Sequence, residues 1–350
     1  MILGVAFAFA LDVAAVLRTD PAKVSAAQAG VELLYARRLP EAKVAFDTLS
    51  VRYPTSGLGP LGLSILYQQQ MFENDDFRFE GAYGQARDAT RAQVAQGAAA
   101  PGDEALENFV LASVLGIDAI HLLRRHRYVT AFARAYDGLR ALERCEAAAP
   151  EFVDPVLGDG MFLYWRTLVS ERSTLIPDFS DRRAEGIERM QAAESGATFL
   201  GPGASLALAY AWMGEGRADL ALAQTERIAA RYPDNVLNQL MRYEVLLHLQ
   251  RYTEAWSVVE HLDAAAVPRV WFHRGVALGR LGRWPEAARA YRAWLASPPA
   301  EAEQVTQAWY RIGDAELRSG HPDAARVALG VASGRGHKPA RQALSRMDFP

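Results

Sequence analysis

The sequence predicts an all-α chain of stacked antiparallel helix pairs, and three observations carry that expectation. Half of its 350 residues are apolar, ample for a buried core, and usage leans on Ala, Leu and Arg, which are strong helix formers. Alternating Val, Ile and Thr runs, the mark of strands, are scarce. One pattern of small and large residues recurs at a fixed period along the chain.

The pattern is clearest near the C-terminus. Trp271, Gly275, Leu278, Gly282, Ala287, Tyr291 and Pro299 stand at fixed offsets in one repeat. Small residues at 275 and 287 let two antiparallel helices cross closely, and Trp271, Leu278 and Tyr291 fill the space around the crossing. Pro299 falls where the second helix should stop. Setting Ala221 in the same slot gives a repeat over 202–235, with Leu208, Ala209, Trp212, Gly216, Ile228 and Pro233 in register. The next, 236–269, places Tyr243, Leu246, Tyr252, Ala255 and Leu262. Another starts near 306, with Trp309, Gly313, Gly320, Ala325 and Leu329, after a short insertion around Pro298 to Glu303. Lys338 to Met347 then reads as a capping helix, followed by a tail to 350. Near the start, Gly30, Leu33, Ala42, Phe46, Leu49 and Pro54 fit one more repeat over 23–56.

These residues resemble the tetratricopeptide-repeat (TPR) family. The resemblance implies a right-handed α-solenoid, a TPR superhelix whose first helices line a groove that binds peptides or other proteins. Between 57 and 200 the register is poor. Helical patterns persist there over Gly62 to Phe72, Gly81 to Gln96, Glu104 to Arg124, Tyr128 to Ala147, Val156 to Leu168 and Asp181 to Glu194, an irregular helical middle of degenerate or enlarged pairs. From about 128 to 262 this stretch also resembles bacterial relatives of Iml2/TTC39-type TPR proteins, with Ser180-Asp181-Arg182 at the turn where those carry a Gly-Asp-Arg-like one. The expected organisation is therefore 1–22, an apolar N-terminal segment; 23–56, one repeat; 57–200, the irregular middle; 201–337, an array of about four repeats; and 338–350, cap and tail.

Charge and cysteine usage narrow the function. With 38 Lys and Arg against 41 Asp and Glu, no long single-sign run exists to neutralise many phosphates, so nucleic acid is not an expected partner. Arg124-Arg125-His126-Arg127 reads as a solvated helix end. Cys145 is the single cysteine, which excludes an intrachain disulfide and a Cys-rich metal site, and its apolar flanks predict a buried, inert thiol. The leading MILGVAFAFAL is apolar, lacks a preceding Lys or Arg, and is interrupted by Asp12. It is either a clipped export signal, placing the protein outside the cytoplasm, or a first helix packed on the fold. No later segment has the roughly 18 uninterrupted apolar residues of a membrane span. Ala- and Arg-rich usage suggests a bacterial source with a GC-rich genome.

The seven histidines are scattered, none at the i, i+4 spacing of a helical metal site. Asp118 and His121 read as a local hydrogen-bonded pair. Gly57-Leu58-Gly59-Pro60-Leu61-Gly62 fits G-x-G-x-x-G formally, but follows a helix and contains a proline, so it reads as an inter-repeat loop. Glu73-Asn74-Asp75-Asp76 lacks the ligand alternation of a calcium loop and reads as a solvated turn. No catalytic residue, cofactor or metal ligand is expected. The expectation is a non-enzymatic scaffold or adaptor whose groove, on the family's geometry, is lined by Leu206, Tyr210, Met213, Leu240, Glu244, Arg269, Phe272, Val276, Tyr310 and Asp314, with Leu247 and Leu317 beside them. The Lys and Asn that clamp a terminal carboxylate in one TPR subclass are replaced by Leu206, Tyr210, Met241, Arg269 and His273. Such a groove suits an amphipathic helix or an extended apolar peptide, or is covered by the chain's own middle segment. The alternative is an accessory protein with a small-molecule or lipid pocket in the middle, lined by Phe109, Phe152, Phe162 and Trp165. Trp165 is the tryptophan that the repeat leaves unexplained.

Overall fold

A computed structural model describes residues 12–97, 102–172, 180–297 and 302–348. The apolar run Met1 to Leu11, and Pro299 with the core of the insertion before the last repeat, lie outside the described residues. Among those described, every regular element is a helix. The chain divides into two compact units, 1–68 with 79–211 and 69–78 with 212–350.

The first unit holds α1 (Val13–Leu17), α2 (Pro21–Tyr35), α3 (Leu39–Arg52), α5 (Glu80–Gly97), α6 (Glu104–Arg124), α7 (Tyr128–Ala148), α8 (Pro155–Arg172), α9 (Arg183–Gly196), most of α4 (Leu58–Asn74) and the greater part of α10 (Gly201–Gly214). The second continues through α11 (Ala218–Arg231), α12 (Val236–His248), α13 (Tyr252–Glu260), α14 (Arg269–Arg280), α15 (Trp284–Leu295), α16 (Ala302–Arg318), α17 (Pro322–Gly334) and α18 (Lys338–Asp348). From α11 onward each helix packs on the next, an α-solenoid of consecutive hairpins.

The hairpins close by inserting a large side chain of the second helix against a glycine of the first. A methyl group at Gly275 would lie 2.6 Å from the Tyr291 ring, and one at Gly313 would lie 2.6 Å from Leu329 Cγ. In the first unit Phe46 fills this role twice, against Gly30 of α2 at 2.6 Å and Gly62 of α4 at 2.1 Å. The small partners Ala42, Ala287 and Ala325 are all buried. These are the residues of the repeat pattern, and the helix pairing that it predicts is present as packed geometry.

The turns repeat as strictly. Arg37, His126, Gly216, Gln250, Gly282, Gly320 and Gly336 have φ between 56° and 89°, and each sits two residues past one helix and two before the next. The residue that follows is always basic: Arg38, Arg127, Arg217, Arg251, Arg283, His321 or His337. Its N–H donates to the carbonyl five residues back at 2.7 to 3.0 Å, the Schellman closure. Three of these arginines also pair with the Glu three residues on, Arg38 with Glu41, Arg251 with Glu254 and Arg283 with Glu286. In water such pairs add little stability. The His126 turn joins α6 to α7, so this part of the irregular middle is an enlarged hairpin of the same kind.

The middle is held by groups that sequence spacing does not show. Asp154 is fully buried and accepts from the N–H groups of Thr198, Phe199 and Leu200 at 2.7, 2.7 and 2.9 Å, fixing the entry to α10. Glu107, also fully buried, accepts from Ser56 Oγ at 2.6 Å and Gly57 N at 3.0 Å. Gly160 of α8 and Gly186 of α9 bring their backbones together so closely that a methyl on either would lie within 2.8 Å of the other's carbonyl oxygen. α6 is apolar and long enough to cross a bilayer by composition, and two thirds of its most apolar window is buried inside the protein.

Two glycines test this packing. Gly275→Ala should destabilise the protein by about 1–3 kcal/mol through overpacking against Tyr291. Gly330, in α17 with open space around it, should behave oppositely, Gly330→Ala gaining roughly 1 kcal/mol of helix propensity. Urea denaturation of both variants checks the pair; equal effects would contradict the assigned packing.

Candidate partner-binding surface

The residues expected to line a groove fall on both units. Leu206 and Tyr210 belong to the first, where Leu206 is half-buried and Tyr210 is 47% exposed. In the second, Val276 on α14 and Tyr310, Asp314 and Leu317 on α16 lie at helical spacing along first-helix faces, the first three half-buried and Leu317 42% exposed. Met213 is half-buried. Leu240 is 5% exposed and packed with Val236, Ala264, Val267 and Val270, so it serves the core. Phe272 packs edge-on against Tyr291 and Trp294, with ring centroids 5.4 and 5.3 Å apart, and joins the hairpin interior. Tyr310 lies 4.4 Å from the His337 ring.

One candidate residue, Arg269, and Gln304 of α16, which was not among them, meet a segment that spacing did not assign to this face. Arg269, the first residue of α14, donates from Nη1 to the Phe72 carbonyl at 3.3 Å. Gln304 Nε2 donates to Asp75 Oδ2 at 2.8 Å. Glu244 is an exposed residue of α12, and partial desolvation by the protein around it raises its carboxyl above the ordinary range; Arg269 opposes this shift and Asp75 adds to it. Residues 69–78 thus lie against the first-helix face of α14 and α16 and electrostatically close to α12. The acidic stretch 73–76 is accordingly not a solvated turn, for Glu73 is 1% exposed and Asp75 is hydrogen-bonded.

Other expectations are corrected by the same means. Asp118 and His121 do not bond to each other. Asp118 is buried against Arg87 at 3.0 Å and Arg134 at 3.0 Å, while His121 Nε2 meets Glu80 at 3.2 Å. A buried carboxylate takes the partner that best offsets its desolvation, here two guanidiniums from neighbouring helices. The glycine-rich 57–62 is a loop only at Gly57; the rest forms the first turns of α4, where Gly59 and Gly62 admit α3. Phe109, Phe152 and Phe199 make a mutually packed aromatic cluster rather than a pocket wall. Trp165 stands edge-on to Tyr164, whose hydroxyl donates to the Ala211 carbonyl at 3.0 Å.

A cavity of about 720 Å³ does open in the first unit, lined by Asp88, Arg91, Glu104, Asn108, Leu111 and Arg144. Arg144 Nε donates to Asn108 Oδ1 at 2.9 Å across it. Cys145 is fully buried, and burial pushes its thiol up to about 12. Among the described residues, no three His, Cys, Asp or Glu side chains gather as a metal site.

No protein-family model and no curated protein matches the chain. Among solved structures it is similar to the MamA RS-1 ArsTM double mutant, at 16% identity and TM-score 0.40, over 52% of this chain and 98% of that one. It is also similar to a tetratricopeptide repeat protein from Parabacteroides merdae, at 13% identity and TM-score 0.40, over 80% and 97%. A further similarity is to the APC/C hetero-tetramer Cut9-Hcn1, at 15% identity and TM-score 0.44, over 90% and 61%. These superpositions are loose, and the repeat assignment stands on the packing and turns described above.

His273 gives this region a pH signature. It is buried beneath Tyr243, whose hydroxyl donates to the His273 carbonyl at 3.0 Å, and burial, with Arg269 adding, holds its imidazole well below its usual range. The unfolded state then binds the extra proton first, so stability should fall with pH below about 6.5, by up to ~1.4 kcal/mol per unit from this group. His121, lowered chiefly by burial, acts in the same direction. His273→Leu should flatten the decline in unfolding midpoint between pH 7 and 5; an unchanged slope would remove His273 as its source.

Proposed function

We propose that this protein is a non-enzymatic scaffold or adaptor that holds a partner protein or peptide on the first-helix face of its C-terminal array. The observation that carries the reading is the line formed by Val276, Tyr310, Asp314 and Leu317, the first three left half-buried and the last exposed, while the hairpins fully bury the tyrosine, leucine and alanines on their other sides. A stripe of apolar and aromatic side chains with an acidic edge suits an amphipathic helix or extended segment of another chain. The buried titratable groups support the same reading, because each is committed to joining helices: Asp118 to two arginines, Glu107 to the start of α4, Asp154 to the start of α10.

Asp314→Arg with Leu317→Glu tests it with little cost to the fold, since Leu317 is exposed and Asp314 is ion-paired with the surface residue Arg318, at 3.1 Å. Affinity capture from the source cells should recover a partner with the wild type and at least tenfold less with the double variant, at an unchanged thermal melt. Equal recovery would move docking off this face.

A second reading has one feature in its favour, the cavity between α5, α6 and α7. Its two arginines and two carboxylates suit a small polar or zwitterionic molecule better than a lipid tail. If it is a ligand site, Arg144→Leu should abolish ligand-induced thermal stabilisation in a screen of polar metabolites; an identical profile would retire this reading.

A further inference from the structure

We propose that the first-helix face of the second unit recognises the C-terminal end of a helix closed by an acidic left-handed turn, and that residues 69–78 are its internal occupant. This rests on the reading of that face as a docking surface and names the chemistry it selects.

The argument begins with the end of α4. Asp75 has φ 52°, its N–H donates to the Phe72 carbonyl at 3.3 Å, and the Asp76 N–H donates to the Met71 carbonyl at 3.0 Å. This is the closure found in the hairpin turns, with one chemical difference. There the residue after the left-handed one is Arg or His; here it is Asp76, and no helix follows until Glu80. A helix C-terminus carries partial negative charge, which a cation near its last carbonyls offsets. At α4 Asp76 is paired with Arg78 two residues on, and the cation at the last carbonyls is Arg269 of α14, which donates to the Phe72 carbonyl. Gln304 of α16 then takes the Asp75 carboxylate. Two successive first helices thus read one capped helix end, the first through its dipole and the second through its acid.

The polar contacts that hold the turn are few, Arg269 on the Phe72 carbonyl at 3.3 Å and Gln304 on Asp75 at 2.8 Å. An internal ligand held in this way can be exchanged for a partner helix with the same kind of ending that fits the two side chains better. The segment adjoins Arg269 and Gln304, at or near the starts of α14 and α16, whereas Val276, Tyr310, Asp314 and Leu317 lie further along those helices, so displacement would lengthen the docking line rather than create a separate one.

The test uses the full chain and a fluorescent peptide of residues 61–78. Asp75→Lys sets a cation beside Arg269 and should expel the segment, read as at least a tenfold loss of amide hydrogen-exchange protection over 69–78. The expelled form should bind the peptide at least tenfold more tightly than wild type, and adding Arg269→Ala should erase that gain. Unchanged protection in Asp75→Lys would overturn the proposal, because these contacts would not hold the segment. Lost protection without peptide binding would also overturn it, making 69–78 a structural strut. Binding indifferent to Arg269→Ala would overturn it by placing the peptide elsewhere. Because Asp314 and Leu317 are not touched, partner loss on their substitution alongside any of these failures would leave the docking face standing and remove only the internal ligand.

Discussion

The packing of one large side chain onto a glycine of the preceding helix is the constraint on which the array depends. Tyr291 on Gly275 and Leu329 on Gly313 set how near two antiparallel helices approach, and that approach fixes the stacking of the following hairpin. Phe46 shows the same device carried one step further. It is clasped by Gly30 on one side and Gly62 on the other, so one ring locks three consecutive helices. A core packed at such density tolerates little volume change at these points and considerable change elsewhere.

The turns impose the second constraint. Because each hairpin reverses through one left-handed residue and a Schellman closure, the second helix starts at a fixed rotation relative to the first. The residue that follows closes the finished helix through its backbone N–H, and in three of the seven turns its guanidinium pairs with a glutamate of the helix just begun. Where this sequence of residues is broken, at the end of α4, the chain does not form a hairpin. The helix end is met by Arg269, and the segment joins the array to which that arginine belongs.

Buried charge does different work in the two units. In the first, Glu107, Asp118 and Asp154 accept hydrogen bonds from distant segments and tie helices whose spacing follows no repeat. Such groups repay their desolvation only when every acceptor is used, which is why they specify one arrangement of an otherwise irregular bundle. In the second, repetition does this work, and buried polar groups join neighbouring helices of the array, as in the donation from Asn238 to the Thr225 carbonyl at 2.9 Å.

The sequence by itself determined the helical class, the hairpins of the C-terminal repeats, the early repeat around Phe46 and the burial of Cys145. These follow from local spacing: a glycine, an alanine and a large residue at fixed offsets can satisfy one another only across a hairpin. The helices of the middle were legible from periodicity, though not their pairing. Only the tertiary structure decided which of the candidate groove residues face outward. Leu240 and Phe272 have the spacing of a surface stripe yet are drawn into the core by Val267 and by Tyr291 with Trp294. It alone showed that Asp118 prefers arginines of other helices to His121, and that residues 69–78 lie against a face built some 190 residues later. The physical reason is common to all of these: long-range hydrogen bonds and ion pairs form between groups with no fixed separation in sequence, so no local pattern records them.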